Sequence, residues 1–321
     1  MIPNSPFLLF SCTSPTQFHF HPLSALPEMR LLIFLVFLTM YLLSLCGNAL
    51  IAVIVCTDRS LHTPMYFFLA NLATMEFCYS SVIAPVTLSN LLAPEKATIS
   101  FVGCAAQMFL FLLLGVADCI LLAIMAYDRY VAICHPLHYT PIMNWKVCTQ
   151  LVVGALSLGL LCALQLTILI FRLPFCGTNE INHFYCDMPA ILQLACTNTY
   201  VQQVTLFTIS VISLTIPFLF ICFSYIFIVA AILRISSSSG RSRAFFTCSS
   251  HLIVVLLQYG CTSFIYLRPN SSYSPEQGQT VSVVYTFVTP VLNPLIYSIR
   301  NKELKDALIR VLRRMLLTQK K

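Results

Sequence analysis

Seven long apolar runs, separated by short polar or charged stretches, set the organisation of this chain. They lie at about 31–55, 64–84, 103–129, 147–170, 201–233, 244–267 and 280–299. A helix needs roughly 20 predominantly apolar residues to cross a bilayer, and each run is long enough. After them, Leu304, Ala307, Leu308, Val311, Leu312 and Met315 recur at three and four residues with basic side chains between. That period predicts an amphipathic helix lying in the membrane interface. The expected fold is an all-α membrane protein, a seven-transmembrane helix bundle with a short amphipathic C-terminal helix. We divide it into a tail over residues 1–28, a bundle over 29–299, and a C-terminal helix and tail over 300–321.

Composition agrees with a bilayer as solvent. Of 321 residues, 58% are hydrophobic and 9% charged, and mean hydropathy is +0.85, values outside the range of soluble domains. The net charge of +7 does not point to nucleic acid, because the basic residues collect beside particular membrane edges. Arg30, Lys96, Arg172 and Arg268 fall on one side and the other fourteen of eighteen on the opposite side. Positive residues mark the cytoplasmic side, so the N-terminus is expected outside and the C-terminus in the cytoplasm. The first 28 residues lack the basic start of a cleavable signal peptide and read as a short outer tail.

Polar residues inside such runs are costly and usually face the bundle interior or mark function. Glu76, Asp118 and Asn293 occupy three different runs. Carboxylates sharing a dry site either take up a proton or attract a cation, so the alternatives are neutral hydrogen-bonded acids or a bound sodium ion. Asp128-Arg129 ends the third run, where an acid and a base are expected to meet water, with Tyr130 following. Pro290 to Tyr297 places two prolines, Asn293 and a phenol in one helix, a segment able to bend.

The fifteen cysteines divide by location. Most lie in apolar runs and read as small buried hydrophobes. No Cys/His cluster has zinc spacing. Cys104, Cys176, Cys186 and Cys196 sit on the outer side, three of them in a long loop over 171–200. Disulfides persist there, and four cysteines allow three pairings. Asn270-Ser271-Ser272 is the outer glycosylation sequon, since Asn4-Ser5 is followed by Pro6. Ser236 to Ser239 beside Arg241 reads as a flexible linker.

The motifs Leu61 to Leu69, Met125 to Cys134, Ser224-Tyr225, Arg243 to Leu252 and Pro290 to Asn301 together resemble the olfactory (odorant) receptors among rhodopsin-like G-protein-coupled receptors. The resemblance spans about residues 23–316. It departs at Phe246, where the family usually has serine, and in a tail without the usual sequon. The resemblance implies a receptor that binds small volatile molecules between α-helices three, five, six and seven and activates a stimulatory, olfactory-type G protein to raise cyclic AMP. Membrane lipids are the other partner implied, and no nucleic acid. Helical position then selects Met108, Phe111, Leu112, Gly115, Ile209, Ser213, Tyr259, Thr262 and Tyr266 as ligand-binding candidates. For coupling and switching it selects Asp128, Arg129, Tyr130, Tyr225, Asn293, Pro294 and Tyr297. It favours pairing Cys104 with Cys186 and Cys176 with Cys196.

Other functions lack their signatures. A transporter would carry inverted repeats or paired broken helices, and neither is legible. A peptide or amine receptor would place a carboxylate in the outer half of the third helix, whereas Asp118 lies deeper. For an enzyme, no nucleophile, base and orienter fall together.

Overall fold

The computed structural model describes residues 15–23, 26–267, 275–300 and 303–310. Seven helices are long and apolar enough to cross a membrane: α1 Pro27–Thr57, α2 Pro64–Leu92, α3 Phe101–Cys134, α4 Trp145–Phe171, α5 Tyr200–Leu233, α6 Ser238–Tyr266 and α7 Gln277–Ser298. An eighth, α8, covers residues 303–310 and buries Leu304 and Ala307, the predicted apolar face. Val311, Leu312 and Met315 lie outside the described residues, as do Asn270 and residues 1–14.

Local chemistry fixes several helix starts. Pro27 and Pro64 open α1 and α2, where a missing N–H costs nothing. Ser100 Oγ accepts from Gly103 N at 3.0 Å to cap α3, and Asn144 Oδ1 accepts from Val147 N at 3.0 Å to cap α4.

α3 is the axis of the bundle. In its most apolar window 61% of residues are buried, against 11% for α1, and α3 packs against α2, α4, α5 and α6. Two glycines allow unusually close helix crossings. A Cβ at Gly159 of α4 would stand 2.5 Å from the Leu113 carbonyl oxygen of α3, and one at Gly47 of α1 would stand 2.9 Å from Pro294 Cγ of α7.

Three expectations are corrected. α2 continues through Pro85 to Leu92 rather than stopping near residue 84, because a membrane helix tolerates proline when the surroundings re-satisfy its backbone. α3 continues beyond Arg129 to Cys134, and Asp128 and Arg129 are 2% and 6% exposed. The charge pair is therefore enclosed within the bundle near the C-terminal end of α3 instead of marking where the helix meets water.

The outer segments also differ from a polar loop and a free tail. β1 Gln17–Phe20 of the tail pairs antiparallel with β2 Thr98–Ser100 and parallel with β3 Glu180–Ile181. Phe18 is fully buried against Phe101 and Phe175. The long loop buries Ile181, Phe184, Tyr185, Cys186, Asp187 and Ile191. Packing the alternate residues of one short sheet inward turns these segments into a lid.

Candidate functional site

Two disulfides hold that lid. Cys104 at the start of α3 is bonded to Cys186, with Cα atoms 5.6 Å apart, and Cys176 to Cys196 at the same separation. Gln107 of α3 reinforces the first: its Oε1 accepts from Cys186 N at 2.9 Å while its Nε2 donates to the Val82 carbonyl of α2 at 3.0 Å. The loop is thereby suspended directly over the bundle.

Beneath it lies an almost wholly apolar cavity among α3, α5, α6 and α7, with about 520 Å³ free of atoms. Within that space the cavity volume is about 60 Å³. Of the ligand-binding candidates, Phe111, Leu112, Gly115, Ile209, Thr262 and Tyr266 line it. Met108, Ser213 and Tyr259 do not. Met108 is fully buried in packing. Ser213 sits in a π-helical turn, Val211–Thr215, which shifts the register of α5, and its hydroxyl approaches the Ser210 carbonyl at 3.5 Å. Tyr259 donates to the Cys119 carbonyl at 2.7 Å, tying α6 to α3. Helical spacing alone missed Tyr79, Met188 and Tyr285 in the cavity wall.

The outer end of the cavity is polar. Tyr266 donates to Asp187 Oδ1 at 2.8 Å and lies 3.3 Å from the Tyr285 hydroxyl, which is hydrogen-bonded to Tyr185. Asp187 is buried, and burial pushes its pKa up to about 6, opposed by hydrogen bonds from Tyr266, the Met188 amide and Tyr185. His183 stands 4.0 Å from Asp187 Oδ2. Burial holds the imidazole down at about 3, so it is neutral and the contact is not an ion pair. Its Nε2 lies 3.2 Å from Ser282 Oγ of α7.

Inside the bundle, Asn293 Nδ2 of α7 donates to Glu76 Oε1 of α2 at 2.5 Å. Asp118 of α3 interacts with Glu76 through space. Asp118 Oδ1 and Asn293 Oδ1 are buried and make no hydrogen bond. Asn48 of α1 fastens α7 nearby, donating to the Pro290 carbonyl at 3.0 Å. No trio of His, Cys, Asp or Glu groups among the described residues forms a metal site, so a cation here would draw on two carboxylates and an amide oxygen.

At the opposite end of the bundle from the loop, Tyr139 donates to Asp128 Oδ1 at 2.8 Å. The Tyr130 hydroxyl lies 3.1 Å from His135 Nε2. Tyr225 of α5 meets His251 Nδ1 of α6 at 2.9 Å, and His251 Nε2 meets the Leu122 carbonyl of α3 at 3.1 Å. A carbonyl only accepts, so Nε2 carries the proton and Nδ1 accepts from the phenol. Arg129, Tyr225 and Tyr297 are all buried here, and Pro294 interrupts α7 one turn from Tyr297. α8 is clasped to the first inner turn: Arg310 donates from Nε and Nη2 to Asp58 Oδ2 at 3.0 and 2.8 Å, and Tyr66 donates to Glu303 at 2.9 Å.

This architecture has clear relatives. A family model described as "Olfactory receptor" matches residues 37–315. The chain belongs to the olfactory receptor family. Human (Homo sapiens) olfactory receptor 10V1 is 62% identical over 302 residues, covering 94% of this chain and 98% of that protein. Human olfactory receptor 10Q1 is 58% identical over 302 residues, covering 94% of each. Olfactory receptors are rhodopsin-like G-protein-coupled receptors, a family that is not enzymatic, and the chain is a multi-pass membrane protein.

Proposed function

We propose that this olfactory receptor binds a small volatile molecule in the cavity under the loop and activates a stimulatory, olfactory-type G protein, raising cyclic AMP. The carrying observation is the apolar cavity itself. It has a few convergent polar groups at one end, as small-ligand sites have. The outer side is the side of the disulfides and the lid, and the cytoplasmic side is that of Arg129 and α8. A ligand touching α3, α5 and α6 together biases how these helices pack, and Tyr225, His251 and Arg129 sit where that packing is read out. A ligand shifts such an equilibrium only through unequal affinity for its two states. The test is a panel of volatiles on surface-stained cells with a cyclic AMP reporter. Silence across the panel with normal surface staining, or a response through another second messenger, removes the reading.

We infer a second element, a sodium ion held by Glu76, Asp118 and Asn293 in the resting receptor. What supports it is the pair of buried oxygens without hydrogen bonds, Asp118 Oδ1 and Asn293 Oδ1, beside a second carboxylate. Buried acceptors left bare are costly, and a cation supplies what they lack. The ion's chemistry is electrostatic only. The residues would link α2, α3 and α7, and their rearrangement would accompany bending at Pro294.

A further inference from the structure

The outer wall of the cavity is a set of hydroxyls whose hydrogens are already committed. Tyr266 has one hydrogen and gives it to Asp187 Oδ1 at 2.8 Å. The carboxylate only accepts when ionised, and near neutral pH it stays mostly ionised despite its burial. In the 3.3 Å contact between Tyr266 and Tyr285, Tyr285 must therefore be the donor. Tyr185 is bonded to Tyr285 and also donates towards Asp187, so its one hydrogen is committed as well. Below them Thr262 spends its hydrogen on the Gln258 carbonyl at 2.7 Å. Asp187 thus draws the hydrogens of this chain towards the loop. Each phenol that lines the cavity, Tyr266 and Tyr285, has a lone pair left and no hydrogen.

We propose that this receptor selects small hydroxylated ligands, alcohols and phenols, over ketones, esters and ethers of the same shape, because the tyrosine chain polarised by Asp187 presents only accepting oxygens to the cavity. A ketone placed there sets oxygen against oxygen; the other polar lining groups, Ser210 and Gln258, stand outside this chain of phenols. A protonated amine brings a donor but also a charge that an apolar cavity desolvates at high cost. The neutral hydroxyl is the class that fits. The proposal rests on the cavity being the ligand site, as argued above.

The experiment compares secondary alkanols with the ketones of the same carbon skeleton. Binding is read as ligand-induced rise in the unfolding temperature of purified full-length receptor in lipid nanodiscs, which needs no G protein, and potency by cyclic AMP in cells. The parent should favour the alcohol of each pair on the order of tenfold. Tyr285→Phe, which removes an accepting oxygen with little change of shape, should reduce that ratio. Asp187→Ala, which returns Tyr266 its hydrogen, should improve the ketones. Because the readout is a ratio within one protein, altered expression does not move it. Equal or inverted preference in the parent overturns the proposal, as does an unchanged ratio in both variants. Binding with the expected preference but without cyclic AMP leaves the ligand class standing and removes the coupling reading; no binding of any pair removes both.

Discussion

Asn293 of α7 donates its side-chain amide to the Glu76 carboxylate of α2 at 2.5 Å, a polar bond across the middle of an apolar bundle. It leaves the amide oxygen of Asn293 and an oxygen of Asp118 buried without partners. If sodium fills that site in the resting state, raising sodium lowers agonist potency, and Asp118→Asn abolishes the effect. The measurement is an agonist titration in sodium and in a large inert cation at equal ionic strength, at matched surface expression. Equal potencies for the parent in both salts would show that the acids are simply neutral.

Arg129 is buried near the C-terminal end of α3, beside Tyr225 of α5, Cys248 of α6 and Tyr297 of α7. Arg129→Ala should abolish ligand-driven cyclic AMP while ligand-induced thermal stabilisation survives. Tyr139→Phe, which removes the hydrogen bond to Asp128, should alter basal signalling. Normal signalling by Arg129→Ala at normal surface level would contradict the assignment.

Gly159 and Gly154 lie on one helix with different surroundings. A Cβ at Gly159 meets the Leu113 carbonyl oxygen at 2.5 Å, whereas one at Gly154 meets nothing within 4 Å. Gly159→Ala should lower thermal stability by about 1–3 kcal/mol through forced separation of α3 and α4. Gly154→Ala should be neutral or stabilising by up to about 1 kcal/mol through helix propensity. Denaturation of the two purified variants side by side checks the contrast.

Asp187 titrates about two units above its ordinary value of 3.8, at about 6, because it is buried. A raised carboxyl pKa means that the folded state binds the proton more tightly, so the Asp187 contribution to stability rises as pH falls from about 7 towards 4. The phenols of Tyr185 and Tyr266 face the group, and so does His183, which burial holds at about 3 and which costs stability over the same window as its unfolded form gains a proton, so the Asp187 contribution is read as a difference. At roughly 1.4 kcal/mol per unit, the gain is about 2–3 kcal/mol. Asp187→Asn should lose this dependence, seen as the difference between the two proteins' unfolding temperatures across pH. Parallel curves would sink the argument.

The disulfide between Cys104 and Cys186 suspends the loop from α3, and Cys176–Cys196 closes the loop on itself. Cys104→Ser or Cys186→Ser should remove surface protein almost completely, since a native bridge in an outer segment contributes about 2–5 kcal/mol. Linked peptides from unreduced digests check the pairing directly.

Much of this was legible in the sequence, and the reason is the solvent. A bilayer demands that every backbone polar group be satisfied within its own segment, so seven apolar runs of sufficient length dictate seven helices without knowledge of their partners. The same demand exposed Glu76, Asp118 and Asn293 as polar residues needing explanation. The period of Leu304 and Ala307 likewise determined which face of α8 is buried. Tertiary structure decided the rest, because those outcomes depend on what lies opposite. The π-helical turn at Val211–Thr215 rotates α5 and takes Ser213 off the cavity wall, and no propensity marks it. Tyr259 spends its hydroxyl on α3, a choice set by the height at which two helices cross. The tail strand around Phe18 and the chain of phenols ending on Asp187 join residues about 80 to 160 positions apart. Such contacts leave no period in the sequence, and only the folded chain assembles them.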